Sequence, residues 1–168
     1  MVRKTFIVIA IGIVIPFNSC RKSDTFPDVP HIEFKELAKS TSVNGLDTAA
    51  KLTLFFTDGD GDIGLRSSDT LPPFNPGSEF YYNFFLKYFK KQNGVFQELL
   101  LLFPPNQRIP FIANESSNKA ISGDIILNLE FAGLPADNDT FRFEAYIVDR
   151  ALHKSNVITS SELVLKTQ

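Results

Sequence analysis

Along most of the chain, apolar and polar residues alternate with a period of two, the pattern of strands with one buried face. Residues 31–38 set Ile32 and Phe34 against Glu33 and Lys35, and residues 50–57 set Leu52, Leu54 and Phe56 against Lys51, Thr53 and Phe55. Residues 121–131 carry Ile121, Gly123, Ile125, Leu127, Leu129 and Phe131 in one row. Residues 141–149 set Phe141, Phe143, Ala145 and Ile147 against Arg142, Glu144, Tyr146 and Val148. Residues 157–166 place Leu163 and Leu165 against Glu162, Val164 and Lys166. Residues 80–90 are dense in aromatic side chains, and 95–103 follow Asn93-Gly94, a dipeptide that supplies the positive φ of tight hairpins. Beyond the N-terminal twenty residues no stretch sustains a period of 3.6.

Seven such strands, turn signals between them and 10 prolines predict an all-β chain. The expected architecture is a single antiparallel β-sandwich over 31–168, of the immunoglobulin-like or fibronectin type III-like kind. With one Cys and no Trp, the core of an antibody domain is excluded. Within 80–90, Phe80, Tyr82, Phe84, Leu86 and Tyr88 share one face. That face packs in the core, or it serves as a platform for a glycan or a protein.

The N-terminus departs from this pattern. Arg3 and Lys4 precede an unbroken apolar run, Phe6 to Ile15, which Pro16 interrupts. The run is short of the ~20 residues that a membrane-spanning helix needs. It has the layout of a secretory signal peptide over 1–19. It closes on Asn18-Ser19-Cys20, and Cys20 is the single cysteine among 168 residues. The ending resembles a bacterial lipobox, which implies that Cys20 carries the lipid; two or more acyl chains anchor stably at ~0.8 kcal/mol per buried CH₂. Residues 20–30 hold the lipidated Cys and a tether with Pro27 and Pro30 and no periodicity. The localisation expected is export to the outer membrane.

Charge then narrows the partners. The chain has 17 Lys plus Arg against 19 Asp plus Glu, which leaves no basic footprint for nucleic acid. Removing residues 1–19 takes two bases and no acid, so the mature chain carries 15 bases against 19 acids, a net charge of −4. One Cys and two His, His31 and His153, exclude Cys-cluster metal sites and leave little for a His-based centre.

One segment carries a chemical signal. After 50–57 comes Asp58-Gly59-Asp60-Gly61-Asp62-Ile63-Gly64-Leu65, with Asp69 following. Three carboxylates at spacing two converge readily on a hard cation, and glycines let backbone carbonyls join them. Calcium is the candidate ion. An EF-hand is rejected, because Ile63 stands where that loop requires Gly, Asp69 where Glu is usual, and the flanks are strands. In an up-and-down order of strands, the loop after 50–57, the loop after 141–149 and the start of the first strand share one end. That adds Asp149 to Asp58, Asp60, Asp62 and Asp69 as candidate ligands, with Asp28 nearby. The competing reading is a solvated turn that uses Asp and Gly for their geometry.

The stretch Leu54-Phe-Phe-Thr-Asp-Gly-Asp-Gly-Asp-Ile-Gly-Leu65, with Ser68-Asp-Thr-Leu-Pro-Pro-Phe74, resembles a group of uncharacterised Bacteroidota-type lipoproteins. Tyr88 to Gly94, Lys119-Ala-Ile-Ser-Gly-Asp124 and Tyr146 to Asn156 carry the same likeness. The resemblance implies an exported, lipid-anchored β-domain and supplies no activity. It also implies O-glycosylation at Asp47-Thr48-Ala49 and Asp69-Thr70-Leu71. No nucleophile motif accompanies His153 and Asp149, so no enzyme is expected. The function expected is a binding or structural module of the envelope. The alternatives are a glycan-capture lipoprotein and an accessory subunit of an outer-membrane complex.

Overall fold

The computed structural model describes residues 25–112, 119–131 and 138–166. The signal run 1–19, Cys20 and the first part of the tether lie outside the described residues.

The described chain is all-β apart from a single 3₁₀ turn, Glu79–Tyr81. Eight strands follow in order: β1 His31–Thr41, β2 Asp47–Asp58, β3 Phe84–Gln92, β4 Val95–Leu99, β5 Ile121–Glu130, β6 Asp139–Ile147, β7 Ile158–Thr159 and β8 Leu163–Leu165. They form a three-stranded sheet, β1-β2-β5, and a five-stranded sheet, β4-β3-β6-β7, in which β8 also pairs β6. Pairing within both sheets is antiparallel. Inward rows from the two sheets meet in one buried cluster. Ile32, Leu52, Leu54, Leu127 and Leu129 come from the first sheet, and Phe84, Leu86, Phe141, Phe143 and Ile147 from the second. Each such side chain contributes ~1.5–3 kcal/mol on burial. Tyr88 and Phe143 add an edge-to-face contact at 4.8 Å.

Three strand boundaries differ from the pattern-based expectation. The aromatic run 80–90 opens as a turn and becomes a strand only at Phe84, because the buried Asn83 is committed elsewhere: its Oδ1 accepts from Ile109 N–H at 2.6 Å. The strand expected over 95–103 ends at Leu99. Beyond it Pro104 and Pro105 lack the N–H that a ladder needs, and Asn106 Oδ1 instead accepts from Leu86 N–H at 3.1 Å. The strand expected over 157–166 is two short pieces. Between them Ser160 Oγ replaces a backbone acceptor for Phe143 N–H at 2.9 Å, which interrupts the ladder. In β1 a register shift between Phe34 and Glu36 moves the inward row from Ile32 and Phe34 to Leu37.

The two ends of the sheets differ. At one end Asp47 ties β1, β2 and the chain after β8 together. At the other, His31 pairs with Thr57, Asp58 with Ile121, and Phe84 with Ile147. There Asn156 bridges to β1, accepting from Ile32 N–H and donating to Ile32 O, both at 2.9 Å. The connections leaving β2, β4 and β6 gather at this second end, together with the segment entering β1.

Candidate metal centre at the end of β2

Strand period explains why carboxylates are buried at this end. The inward row of β2 runs Ala50, Leu52, Leu54, Phe56 and then Asp58. The inward row of β6 runs Phe141, Phe143, Ala145, Ile147, and the next position of that parity is Asp149. The alternation that buries the leucines and phenylalanines therefore buries both aspartates, with Asp58 at 0% exposure and Asp149 at 1%.

The loop then turns back on Asp58. Its Oδ2 accepts from the backbone N–H of Asp62 at 2.9 Å and of Ile63 at 3.3 Å. Ile63 is driven into the core instead of leaving the loop open, as the Gly of an EF-hand would. Oδ1 of Asp58 is buried and has no hydrogen-bond partner among the described residues, and neither has Oδ1 of Asp60. An unpaired buried polar atom costs ~1–3 kcal/mol, and more when charged. Burial, followed by the charges of Asp60 and Asp62, pushes the Asp58 carboxyl up to about 7. Burial also raises Asp62, aided by the charges of Asp149 and Asp60 and opposed by the N–H groups of Arg150 and Ala151.

Asp58, Asp60 and Asp62 each present a carboxylate oxygen within 4.8 Å of the other two. At such separations the ionised carboxylates repel one another. A calcium ion bound at ~2.3–2.6 Å has ligands up to about 5 Å apart, so the three oxygens match its shell. Backbone carbonyls close on the loop from two sides. A Cβ at Gly61, where φ is +68°, would run into the carbonyl of Lys119, and one at Gly59 into those of Phe26 and Pro27. The Pro27 carbonyl is engaged by Gly59 N–H at 2.9 Å, so the ligands offered to a cation are the three carboxylates; calcium accepts such oxygen ligands, whereas magnesium keeps more of its water.

The other two candidate ligands are engaged differently. Asp149 stands near enough to raise Asp62, but its own oxygens close the 149–153 turn. Oδ1 accepts from His153 N–H at 2.7 Å, and Oδ2 lies 2.9 Å from His153 Nδ1. Burial raises its pKa, and the His153 contacts oppose that rise. Asp69 is paired with the guanidinium of Arg150 and accepts from Arg66 N–H at 2.7 Å, contacts that hold its carboxyl low. The structure thus brings Asp58, Asp60 and Asp62 together, sets Asp149 beside them and pairs Asp69 with a cation of the protein. Asp28 is exposed, one residue from the Pro27 carbonyl that meets the loop.

Arg108 and Asn83 hold this end in shape, and no pattern in the sequence marks them. The Arg108 guanidinium donates to the carbonyls of Arg66, Asp69, Phe74 and Tyr81, so one side chain organises the excursion between β2 and β3. Their partners are backbone carbonyls and amides distant in sequence, which leave no local signature.

Of the aromatic row offered by 80–90 as a surface platform, Phe84, Leu86 and Tyr88 are buried in the core, while Phe80 and Tyr82, before the strand, are half-buried. On the opposite face Phe85 stacks on Tyr146 at 4.6 Å, and Lys154 Nζ sits 3.8 Å from the Tyr146 ring centre. Thr48 and Thr70, the two threonines of the glycosylation-like triplets, are exposed. No protein-family model matches the chain, and no curated protein matches it.

Proposed function

We propose that this chain is a lipid-anchored protein of the cell envelope, exported by residues 1–19 and attached through Cys20. Its body is a non-enzymatic β-sandwich of the immunoglobulin-like or fibronectin type III-like kind, acting as a binding or structural module. Calcium at Asp58, Asp60 and Asp62 stiffens the end from which the tether leaves. The strand order supports the sandwich, since the first, second and fifth strands form one sheet and the third, fourth, sixth and later strands the other. One observation carries the metal reading: Asp58 is fully buried, two more carboxylates converge on it, and its Oδ1 has no hydrogen-bond partner among the described residues. A solvated turn would leave that carboxylate exposed, whereas Asp58 is fully buried.

Thermal unfolding of the full chain tests this. With dissociation in the range of extracellular calcium modules, ~10⁻⁴–10⁻³ M, calcium at about ten times that constant adds ~1.4 kcal/mol. The expected rise in Tm is roughly 3–6 °C over the value in EGTA. Asp60→Ala should abolish the rise and leave the calcium-free Tm near that of the wild type. A variant equally destabilised with and without calcium overturns the metal reading in favour of the turn.

A second reading, accessory subunit of an envelope complex, draws on the loop after β4, where Leu100, Leu102 and Phe103 are 85%, 89% and 77% exposed. Crosslinking in native membranes should then capture a partner through a photoreactive residue at position 102, and no adduct there would remove this reading.

A further inference from the structure

We propose that a cation in the Asp58–Asp62 loop fastens the segment before β1 to the body, so that occupancy sets whether the chain that follows Cys20 is first held at Pro27 or at His31. The inference rests on the reading of this loop as a calcium site and of Cys20 as the lipidated residue.

The loop and the tether meet at one residue. The N–H of Gly59, between Asp58 and Asp60, donates to the carbonyl of Pro27 at 2.9 Å. The contact is so close that a Cβ on Gly59 would overlap the carbonyls of Phe26 and Pro27. Gly59 does not lie in the left-handed region, so the tether alone excludes a side chain there. The next fixed point along the chain is β1, where His31 pairs with Thr57 and Asn156 brackets Ile32.

Repulsion among the three carboxylates couples this latch to the ion. Without a cation the loop beyond Asp58 relieves its crowded charges by turning Asp60 and Asp62 toward water, while Asp58 stays buried at the end of β2. Gly59 joins Asp58 to Asp60, so its N–H moves as Asp60 turns and the hold on Pro27 is lost. A cation draws the carboxylates together and restores the N–H to its acceptor. Pro27 stands seven residues after Cys20 and His31 eleven, so releasing Pro27 moves the first hold on the body four residues further along the chain. At a ceiling of ~3.3–3.6 Å per residue, the reach from the bilayer changes from about 25 Å to about 40 Å. The ion therefore controls how closely, and in what orientation, the body is held against the membrane.

Hydrogen exchange on the full-chain protein, in calcium chloride and in EGTA, reads the latch directly. The amides of Gly59, Phe26, Asp28 and Val29 should exchange at least tenfold more slowly in calcium, while those of residues 52–56 in β2 stay unchanged. Gly59→Ala pushes the tether away and keeps all three carboxylates. It should still bind calcium by titration calorimetry, yet exchange rapidly at Phe26, Asp28 and Val29 in both buffers. If that variant does not fold, the wild-type comparison decides alone. Calcium binding with equal wild-type exchange in the two buffers would overturn the latch and leave the calcium site standing. Absence of calcium binding by the wild type would overturn the calcium reading, and the latch with it.

Discussion

Asp58 occupies a place that strand period reserves for an apolar side chain, and its carboxyl is pushed up to about 7 by burial and then by its acidic neighbours. The folded chain holds that proton more tightly than the unfolded chain, whose carboxyl titrates near 4. In calcium-free protein this group therefore stabilises the fold fully below about pH 4, and the contribution is lost as pH rises through about 7. Urea denaturation in EGTA should show the wild type losing about 2 kcal/mol more than Asp58→Asn between pH 5 and pH 8. Parallel loss in the two proteins would mean that Asp58 ionises freely. The clustering of Asp58, Asp60 and Asp62 was legible from their spacing, and the burial of Asp58 follows from extending the Leu52, Leu54, Phe56 row by one step. Which later acids join them was not legible. Arg150 takes Asp69, and the backbone and ring of His153 take Asp149, choices made by side chains that only the fold brings together.

At the scale of elements, Asp47 performs the opposite service at the far end. Its carboxylate accepts from Thr41 Oγ1 at 2.7 Å, Lys39 Nζ at 2.8 Å and Lys166 N–H at 2.9 Å, joining β1 and β2 to the chain just after β8. Burial raises its pKa, but the hydrogen bonds from Lys39, Thr41 and Lys166 outweigh burial and hold it below the ordinary value. With a depressed folded pKa, its contribution is present above about pH 4 and lost as pH falls through the folded value, a window below that of Asp58. Asp47→Ala should cost about 2–4 kcal/mol in urea at pH 7, and the deficit should shrink toward pH 2. A deficit that persists unchanged in acid would assign it to packing. Leu54→Ala, at a fully buried position between β1 and β5, should cost ~2–5 kcal/mol with no effect on calcium binding. Loss of binding in that folded variant would tie the loop to the core more tightly than proposed. Alternation located β1, β2, β5, β6 and the last two strands because burial on one face writes a period of two, while aromatic density and the Asn93-Gly94 turn marked β3 and β4. It misplaced the ends where Asn83, Asn106 and Ser160 replace backbone partners with side-chain atoms.

At the scale of the molecule, two sheets share one core, and the acidic loop and the segment entering β1 occupy a single end. The antiparallel order of the strands made that gathering predictable, since the chain leaves β2 and β6 at the end where it enters β1. The bracing by Arg108 was not predictable, because its partners are carbonyls spread between Arg66 and Tyr81. Titration calorimetry of the full-length chain with calcium tests the central claim most directly. The account predicts one calcium per chain with a dissociation constant of about 10⁻⁴–10⁻³ M, abolished in Asp60→Ala. A wild-type titration without heat up to about ten times that range, in a protein whose melting temperature calcium leaves unmoved, would contradict it.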